Sequence, residues 1–357
     1  MQIPTSVLTP RLPPVSKIAV GSLTVSPMQA NLPLDEAAAV LAYAFDRGLN
    51  FIDTAQYYEN YHLIRAALKR CRTPEAVMVS TKTYAWNRTL AEEAVEEARR
   101  ALDRDVIDVF MLHEQESYDT LRGHWEALEY LFECREKGVI RAIGASTHHC
   151  ALVKGLIRLK LNGFDPDVCH PLYNMAGIGI ADGGEADMAS ALRDAHAMGI
   201  GIFAMKALGG GHLCTSAEEA LRFVLDQPFI DAAAVGMQSF EEVDANIALL
   251  TDGHFSDEQR ARLRHKHRTL HVEDYCEGCG ACVRRCGEGA LRLIPADACA
   301  DEESGHDFSA DFLDAAGISA GTAKENGTKM RAAADDEKCV RCGYCTKVCP
   351  VFALKVY

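Results

Sequence analysis

Eight of the fourteen cysteines in this 357-residue sequence fall into two tight groups. Within each group the spacing is C-x2-C-x2-C-x3-C, and the members are Cys276, Cys279, Cys282 and Cys286 in the first group and Cys339, Cys342, Cys345 and Cys349 in the second. Three thiols set three residues apart let a short loop wrap three corners of a cubane, while the fourth thiol turns away. The two groups therefore predict two [4Fe–4S] clusters.

Structural zinc and free thiols are the alternatives for these cysteines. A zinc site more often pairs two C-x2-C units and takes its four ligands at once. The first residues, MQIPTSVLTPRLPPV, have neither the basic start nor the apolar core of a signal peptide. We therefore expect a cytoplasmic protein, in a reducing compartment that disfavours disulfides.

A second set of polar side chains occupies the ends of predicted strands. Asp53 and Thr54 end one strand, and Lys82, His113 and Ser146 end the next three. One such residue could be a cap or a packed polar group, but a run of them at successive strands is hard to explain in that way. In a barrel the carboxyl ends of the strands share one face, where the loops build the active site.

The elements that must position these residues alternate along residues 1–253. Amphipathic stretches predict helices over 34–47, 90–102, 120–137 and 218–226, and several helices end just before Gly48, Gly138 or Gly199. Short apolar runs predict eight strands, at 17–21, 50–54, 76–82, 106–113, 140–146, 167–172, 201–206 and 231–236. This alternation predicts a (β/α)8 (TIM) barrel. The alternative is a doubly wound sheet, although no G-x-G-x-x-G follows an early strand.

The pattern changes after residue 253. Residues 254–271 are rich in charge and His and predict a linker or helix, and residues 272–357 form a second, small domain that contains the cysteine groups. A spacer at 287–338 separates the two groups and includes an acidic run. We interpret this spacer as a surface insertion that is partly mobile.

The region from about residue 272 resembles bacterial-type ferredoxins with two [4Fe–4S] clusters. The resemblance implies a ferredoxin-like α+β domain in which the fourth cysteine of each group ligates the other cluster. One cluster would then take Cys276, Cys279, Cys282 and Cys349, and the other Cys339, Cys342, Cys345 and Cys286. The sequence departs from the family in having Gly287 in place of the usual Pro after Cys286 and in its long spacer. Neither change removes a ligand.

Residues 15–250 resemble the aldo/keto reductase family. The segment 48–58, GLNFIDTAQYY, is similar to the family signature of a Gly followed by F-x-D-T-A-x-x-Y. Residues 80–82 (STK) match its lysine strand, residues 105–113 (DVIDVFMLH) match its histidine strand, and residues 144–146 (GAS) lie where the family has G-x-S-N. The four matches occur in the family's order and at the ends of predicted strands.

This resemblance implies a catalytic tetrad of Asp53, Tyr58, Lys82 and His113. Reduction of a carbonyl by hydride transfer makes an alkoxide, and Tyr58 would donate its proton. The ammonium of Lys82 would lower the phenol pKa from its ordinary value of about 10. Asp53 would hold Lys82, and His113 would orient the carbonyl or assist proton movement. The alternative is that Asp53 and Lys82 form only a buried ion pair and that Tyr58 only packs.

The resemblance also implies a nicotinamide site, and here the sequence differs from the family. Ser146, Thr147 and His170 stand where relatives hold the carboxamide with Ser, Asn and Gln, and Met205 replaces a stacking aromatic. Further cofactor contacts are expected from Gly21, Lys206, Gly236, Ser239 and Asn246.

The nucleotide preference follows from charge. The basic residues with which many relatives grip a 2′-phosphate are missing, and Glu241 and Glu242 are present. If NAD(P)(H) binds, NAD is slightly favoured over NADP, because an acidic pair repels the phosphate and tolerates a free ribose.

Charge and hydropathy limit the partners. The net charge of −14 disfavours nucleic acid, which needs a basic face, and is compatible either with a positively charged redox partner protein or with ordinary solubility. No apolar run approaches the roughly 20 residues of a membrane span. Tyr84 and Trp86 follow the lysine strand and are expected to line the pocket of a small-molecule substrate or to pack at the barrel rim.

We therefore expect an oxidoreductase of the aldo/keto reductase type that acts on a carbonyl or alcohol and is coupled to a two-cluster electron-transfer module. Hydride transfer moves two electrons together, whereas each cluster passes one, and no flavin motif bridges them. The alternative is a nicotinamide-independent reductase in which the clusters feed single electrons to a substrate in the barrel. A non-catalytic electron carrier is a third hypothesis, which the intact tetrad disfavours.

Overall fold

The computed structural model describes residues 3–211, 213–264, 270–286, 289–296, 329–335, 338–339, 344–351 and 353–356. The chain divides into two compact units. Residues 1–209 and 213–266 belong to the first unit, and residues 210–212 and 267–357 belong to the second.

The first unit is a closed barrel of eight parallel strands, as the sequence predicts. The strands are β3 (Ile18–Gly21), β4 (Phe51–Asp53), β5 (Met78–Thr83), β6 (Ile107–Leu112), β7 (Ile140–Thr147), β8 (Val168–Pro171), β9 (Gly201–Met205) and β10 (Ala232–Gly236). Each strand pairs with the next along the chain, and β10 pairs with β3 to close the ring. This closure excludes the doubly wound sheet, which is open at both edges.

Helices follow each of the eight strands and cover the barrel. They are α1 (Leu34–Asp46), α2 (Tyr61–Arg70), α3 (Arg88–Leu102), α4 (Tyr118–Gly123), α5 (Trp125–Glu136), α6 (Cys150–Leu161), α7 (Glu185–Ala197), α8 (Ala217–Leu225), α9 (Phe240–Asp252) and α10 (Asp257–Arg264). The glycines expected after three helices all have positive φ, for example 73° at Gly138 and 78° at Gly199. Across the described ranges, no helix combines the length and apolar character needed to traverse a bilayer.

One helix prediction is wrong in detail. The single helix expected over residues 120–137 is broken at His124, where α4 ends and α5 begins. The backbone of His124 leaves the helical region, with φ −106° and ψ 23°, and its ring Nδ1 lies 2.8 Å from the carbonyl oxygen of Thr120. The same carbonyl oxygen also accepts the backbone N–H of His124 at 3.0 Å, so the ring and the backbone of His124 share one acceptor where α4 ends.

An N-terminal hairpin, β1 (Thr5–Ser6) and β2 (Val15–Ser16), covers the amino end of the barrel. Leu8, Leu12 and Val15 are buried in one apolar cluster with the inward-facing side chains Phe51 and Phe203. The amino end of the barrel is therefore filled by packed side chains, and the polar side chains of interest gather at the opposite, carboxyl end.

The second unit contains two small antiparallel sheets and two short helices in its described parts. Strand β11 (Leu270–Val272) pairs with β14 (Leu354–Val356), and β12 (Leu291–Pro295) pairs with β13 (Met330–Ala334). The helices are α11 (Ala281–Arg285) and α12 (Tyr344–Lys347). Paired strands and short helices agree with the ferredoxin-like α+β prediction.

The spacer at 287–338 differs from the expected surface insertion at both of its ends. Residues 291–295 and 330–334 form a hydrogen-bonded ladder of five residue pairs, so these ends belong to the packed unit. Leu291 and Ala332 are buried in its core. The middle of the spacer, residues 297–328, lies outside the described residues, as do residues 265–269 of the expected linker.

We predict that Gly144→Ala destabilises the barrel by about 1–3 kcal/mol, because an added methyl group is overpacked. A Cβ atom on Gly144 would lie 1.9 Å from the carbonyl oxygen of Val168 on the neighbouring strand. Urea denaturation measures the loss. Gly123→Ala is the matched control, because a Cβ there meets nothing within 4 Å and Ala favours the helix by up to about 1 kcal/mol. Equal stability of the two variants would contradict this account of the β7–β8 contact.

Candidate active site and cluster site

The four expected tetrad residues all lie at the carboxyl end of the barrel. Asp53 is the last residue of β4, Lys82 lies near the end of β5, and His113 directly follows β6. Tyr58 is on a short 3₁₀ helix, Gln56–Tyr58, that follows β4. All four side chains are buried, with exposures of 9% or less. Neighbouring parallel strands bring these side chains together because β4, β5 and β6 are consecutive in the sheet.

Lys82 and Asp53 form a fully buried ion pair. The Lys82 Nζ atom lies 2.8 Å from Oδ1 and 2.7 Å from Oδ2 of Asp53, and it also donates to the carbonyl oxygen of Thr54 at 2.7 Å. Ser80 donates to Asp53 Oδ1 at 3.2 Å. Burial alone would raise the pKa of Asp53, but the charges of Lys82 and His170 outweigh burial and hold that pKa well below its ordinary value.

Tyr58 lies beside this ion pair. The Lys82 Nζ atom is 5.1 Å from the centroid of the Tyr58 ring, and the His113 ring is 5.8 Å away in an edge-to-face arrangement. The expected lowering of the Tyr58 pKa is wrong in direction, because burial, together with the negative charges of Asp53 and Glu114, raises it well above the ordinary value. Tyr58 is therefore a protonated phenol at neutral pH.

Aromatic rings adjoin this site. Tyr84 stacks on His113 with 4.4 Å between ring centroids, and its hydroxyl donates to Glu114 Oε2 at 2.6 Å. Tyr57 meets Tyr84 edge to face at 5.7 Å. Tyr84 and Trp86, the two expected pocket residues, are 43% and 59% exposed. Tyr84 thus contacts the tetrad through His113. The expected role of the exposed Trp86 in the substrate pocket stays a prediction.

The three expected carboxamide contacts are buried and hydrogen-bonded within the barrel. The Ser146 hydroxyl oxygen accepts the backbone N–H of Glu114 at 2.9 Å, and Thr147 Oγ1 donates to the carbonyl oxygen of Gln115 at 2.7 Å. The His170 Nδ1 atom lies 2.6 Å from the carbonyl oxygen of Phe203. His170 also contacts Asp53, which the sequence did not predict.

Lys206, another expected cofactor contact, directly follows β9 in a left-handed conformation with φ 57°. Its Nζ atom lies 3.2 Å from His148 Nε2, and that same ring nitrogen is 3.8 Å from Glu114 Oε1. Lys206, His148 and Glu114 each follow a different barrel strand and so form a polar network at the carboxyl end. His148 and Glu114 were missed, although each directly follows a predicted site residue.

The expected nucleotide contacts lie around the start of α9. Strands β3 and β10 approach closely at Gly21 and Gly236, and a Cβ atom on Gly236 would lie 2.1 Å from the Thr24 side chain. Ser239 caps α9 by accepting the N–H of Glu242 at 3.3 Å.

The Glu242 carboxylate interacts with the same turn. It accepts the backbone N–H of Gln238 at 2.6 Å, and the Asn246 side chain donates to the Glu242 carbonyl oxygen at 2.8 Å. The favourable position for an anion at this helix start is therefore taken by a carboxylate of the chain itself.

In the second unit, Cys276, Cys279, Cys282 and Cys349 line one cavity. Burial raises the pKa of Cys282 to about 11, and the neighbouring Cys276, Cys279 and Cys349 thiols add to this effect. The loop between the first two cysteines turns at Gly278, whose φ is 64°. Four thiols that line one cavity fit a cubane cluster, which would draw its fourth ligand from the second cysteine group.

The other cysteines are described in part. Cys286 Sγ accepts the backbone N–H of Ala290 at 3.3 Å, Cys345 is buried, and Cys339 is partly buried. Cys342, the remaining expected ligand, lies outside the described residues. Over the described ranges, no three His, Cys, Asp or Glu side chains are placed to hold a single metal ion.

Comparisons with known proteins agree with both units. The family model described as the aldo/keto reductase family matches residues 17–219, and the model of a 4Fe–4S binding domain matches residues 333–355. A 2,5-diketo-D-gluconic acid reductase B of Corynebacterium sp. is 29% identical over 160 residues, which are 42% of this chain and 54% of that protein. The chain spans about half the length of the first curated relatives that it matches.

Solved structures share the barrel fold. A crystal structure of an aldo-keto reductase from Pseudomonas aeruginosa is 24% identical and has a TM-score of 0.58, over 70% of this chain and 94% of that one. A Bombyx mori aldo-keto reductase in complex with NADP is 18% identical and has a TM-score of 0.56, over 74% of this chain and 92% of that one. At these identities the likeness supports the fold alone.

We predict that Lys82→Met lowers the free energy of unfolding at pH 7 by about 3–5 kcal/mol, because it leaves a buried carboxylate unpaired. In the wild type, Asp53 has a depressed pKa, so its contribution to stability is present above the unfolded pKa of about 3.9 and is lost as the pH falls through the folded value. In the variant this carboxylate can take a proton. The difference in the free energy of unfolding between wild type and variant should therefore shrink as the pH falls below about 4.

Chemical denaturation at several pH values measures this difference. Arg88→Met is the matched control, because it breaks an exposed two-bond pair with Glu133 and should lower the free energy of unfolding far less than Lys82→Met does. A loss as small in Lys82→Met as in the control would contradict the buried ion pair.

Proposed function

Because this chain belongs to the aldo/keto reductase family and is an oxidoreductase with an iron–sulfur module, we propose that it interconverts a carbonyl and an alcohol at the carboxyl end of its barrel. The observation that carries the proposal is the buried contact of Lys82 with Asp53, beside the ring of a protonated Tyr58. A role in proton donation explains why the buried ion pair and the buried phenol lie side by side. A purely structural ion pair would not require a phenol next to it.

The proposed mechanism assigns one task to each side chain. Tyr58 donates a proton to the carbonyl oxygen as negative charge develops there. The Lys82 ammonium, fixed by Asp53, stabilises the phenolate that remains. His113 orients the carbonyl, and Tyr84 holds the imidazole by stacking on it. When bound, a reduced nicotinamide supplies the hydride, so that two electrons and one proton reach the substrate together.

The cofactor is proposed to be NAD(H), held by Gly21, Lys206, Gly236, Ser239 and Asn246. The Glu242 carboxylate at the start of α9 supports this choice, because a second anion such as a 2′-phosphate would be repelled there. The Bombyx mori relative binds NADP. The NAD proposed for this chain therefore differs from the NADP bound in that structure.

The clusters are proposed to be two [4Fe–4S] groups with crossed ligation. Cys276, Cys279, Cys282 and Cys349 would hold one, which their common cavity supports. Cys339, Cys342, Cys345 and Cys286 would hold the other. When assembled, each cluster carries one electron at a time, and the acidic chain suits a positively charged redox partner protein.

A second candidate function is a nicotinamide-independent reductase, whose substrate receives two single electrons and two protons. The observation that favours it is the burial of Ser146, Thr147 and His170 with hydrogen bonds inside the protein. Anaerobic assays with NADH, with NADPH and with a reduced one-electron donor separate the two candidates. Turnover with the one-electron donor alone would favour the second candidate.

We predict that Tyr58→Phe lowers turnover by about 10²–10⁴-fold and changes substrate affinity little, because it keeps the ring and removes the donated proton. Steady-state kinetics on the holoenzyme measures both quantities. Tyr57→Phe is the matched control, since the neighbouring Tyr57 is 44% exposed and has no proposed role in proton transfer. Retained activity in Tyr58→Phe would remove Tyr58 as the acid and point to His113.

We predict that anaerobically purified protein contains about eight iron and eight sulfide per chain, from two four-iron clusters. Cys349→Ala should damage the cluster held by the first cysteine group, because Cys349 lines its cavity. Metal analysis and electron paramagnetic resonance of the reduced protein measure these outcomes. Cys214→Ala is the control, since Cys214 belongs to neither group. Zinc in place of iron would refute the assignment.

A further inference from the structure

The side chain of His170 extends across the interior of the barrel towards the opposite wall. It lies on β8, and its Nε2 atom is 3.5 Å from Asp53 Oδ2 at the end of β4. Three strands lie between β4 and β8 in either direction around the ring, so the two residues come from opposite walls. The side chain is 1% exposed, and its ring stacks on Phe203 with 4.0 Å between centroids. The ring is therefore fixed in a position from which it reaches Asp53.

The contact with Phe203 decides where one hydrogen of the ring lies. The Nδ1 atom is 2.6 Å from the carbonyl oxygen of Phe203, and a carbonyl oxygen can only accept. Nδ1 must therefore carry a hydrogen and donate it. The neutral ring with this hydrogen would present the lone pair of Nε2 to the Asp53 carboxylate, which is a repulsive arrangement.

We infer that both ring nitrogens of His170 carry hydrogen, that Nδ1 donates to Phe203 while Nε2 forms an ion pair with Asp53, and that His170 is a positioning residue of the active site. Asp53 is then held from two sides, by Lys82 across neighbouring strands and by His170 across the barrel. Ser80 adds a third contact to the same carboxylate. His170 acts on the chemistry through Asp53 and not as a contact of the nicotinamide carboxamide.

This role has a consequence for the proton donor, and here the inference rests on the proposed function. With Lys82 as its only cationic partner, Asp53 would cancel the ammonium charge. With a second cation on the carboxylate, the buried group carries a net positive charge beside Tyr58. That charge stabilises the phenolate left after proton donation, against the opposing effect of burial.

The direct test is nitrogen-15 NMR of the full-length protein with labelled histidine, with resonances assigned by His170→Gln. At pH 7 we expect both ring nitrogens of His170 to bear hydrogen. A bare Nε2 would overturn the inference. This measurement uses no substrate, so it decides the contact even if the proposed carbonyl chemistry fails.

The kinetic test compares two variants that each remove a His–Asp contact from the same barrel. His170→Gln should lower kcat by up to about 10²-fold, because Asp53 and Lys82 lose their fixed geometry, and should change KM little. His196→Gln, which breaks the contact of His196 Nε2 with Asp231 Oδ1 at 3.3 Å, should leave both constants unchanged. A rise in KM for the nucleotide at constant kcat would overturn the inference. It would indicate instead that His170 contacts the nicotinamide carboxamide.

Discussion

The active-site end of the barrel depends on the burial of one ammonium group. Lys82 is 0% exposed, and transfer of an isolated charge into a protein interior is too costly to survive without partners. Its three N–H donors meet three oxygen acceptors, the two carboxylate oxygens of Asp53 and the Thr54 carbonyl oxygen. Asp53 and Thr54 are consecutive residues at the end of β4. The contacts of both with Lys82 therefore fix the position of the end of β4 relative to β5.

That constraint also explains the surroundings of the pair. The carboxylate of Asp53 needs donors of its own, and Ser80 and His170 contact it from the neighbouring strand and from the opposite wall. The chain turns into the 3₁₀ helix directly after Thr54, and this turn brings the Tyr58 ring against the ammonium. A single buried charge thus sets the positions of residues from β4, β5 and β8.

The second unit is stabilised differently, since its core is small. Nine residues form the buried cluster among its described parts, and four of them are cysteines: Cys276, Cys282, Cys345 and Cys349. Small domains commonly need metal or disulfide links because their apolar cores bury too little surface. The cysteines proposed as cluster ligands are therefore also core residues, and cluster binding would couple to the folding of this unit.

The sequence predicted the barrel and the neighbourhood of Asp53, Lys82, Tyr58 and His113, because strand-end motifs place residues on one face. It did not predict the His170–Asp53 contact, since strands on opposite walls have no shared pattern along the chain. The direction of the Tyr58 pKa was missed because burial is a property of the folded site. Strand β13 was missed because its segment, MRAAA, resembles a helix in composition and forms a strand only by pairing with β12.

Barrel closure has a consequence for how the chain reaches its native state. The closing pair joins Gly21 to Gly236, which are 215 positions apart along the chain. Until β10 has been synthesised, β3 keeps one edge with unpaired backbone N–H and C=O groups, a template for pairing with other chains. Pairing between such distant segments carries a large loop-closure entropy and folds slowly. A nascent chain stalled before residue 232 would therefore hold an open, aggregation-prone sheet, and synthesis of the last strand is the step that removes the exposed edge.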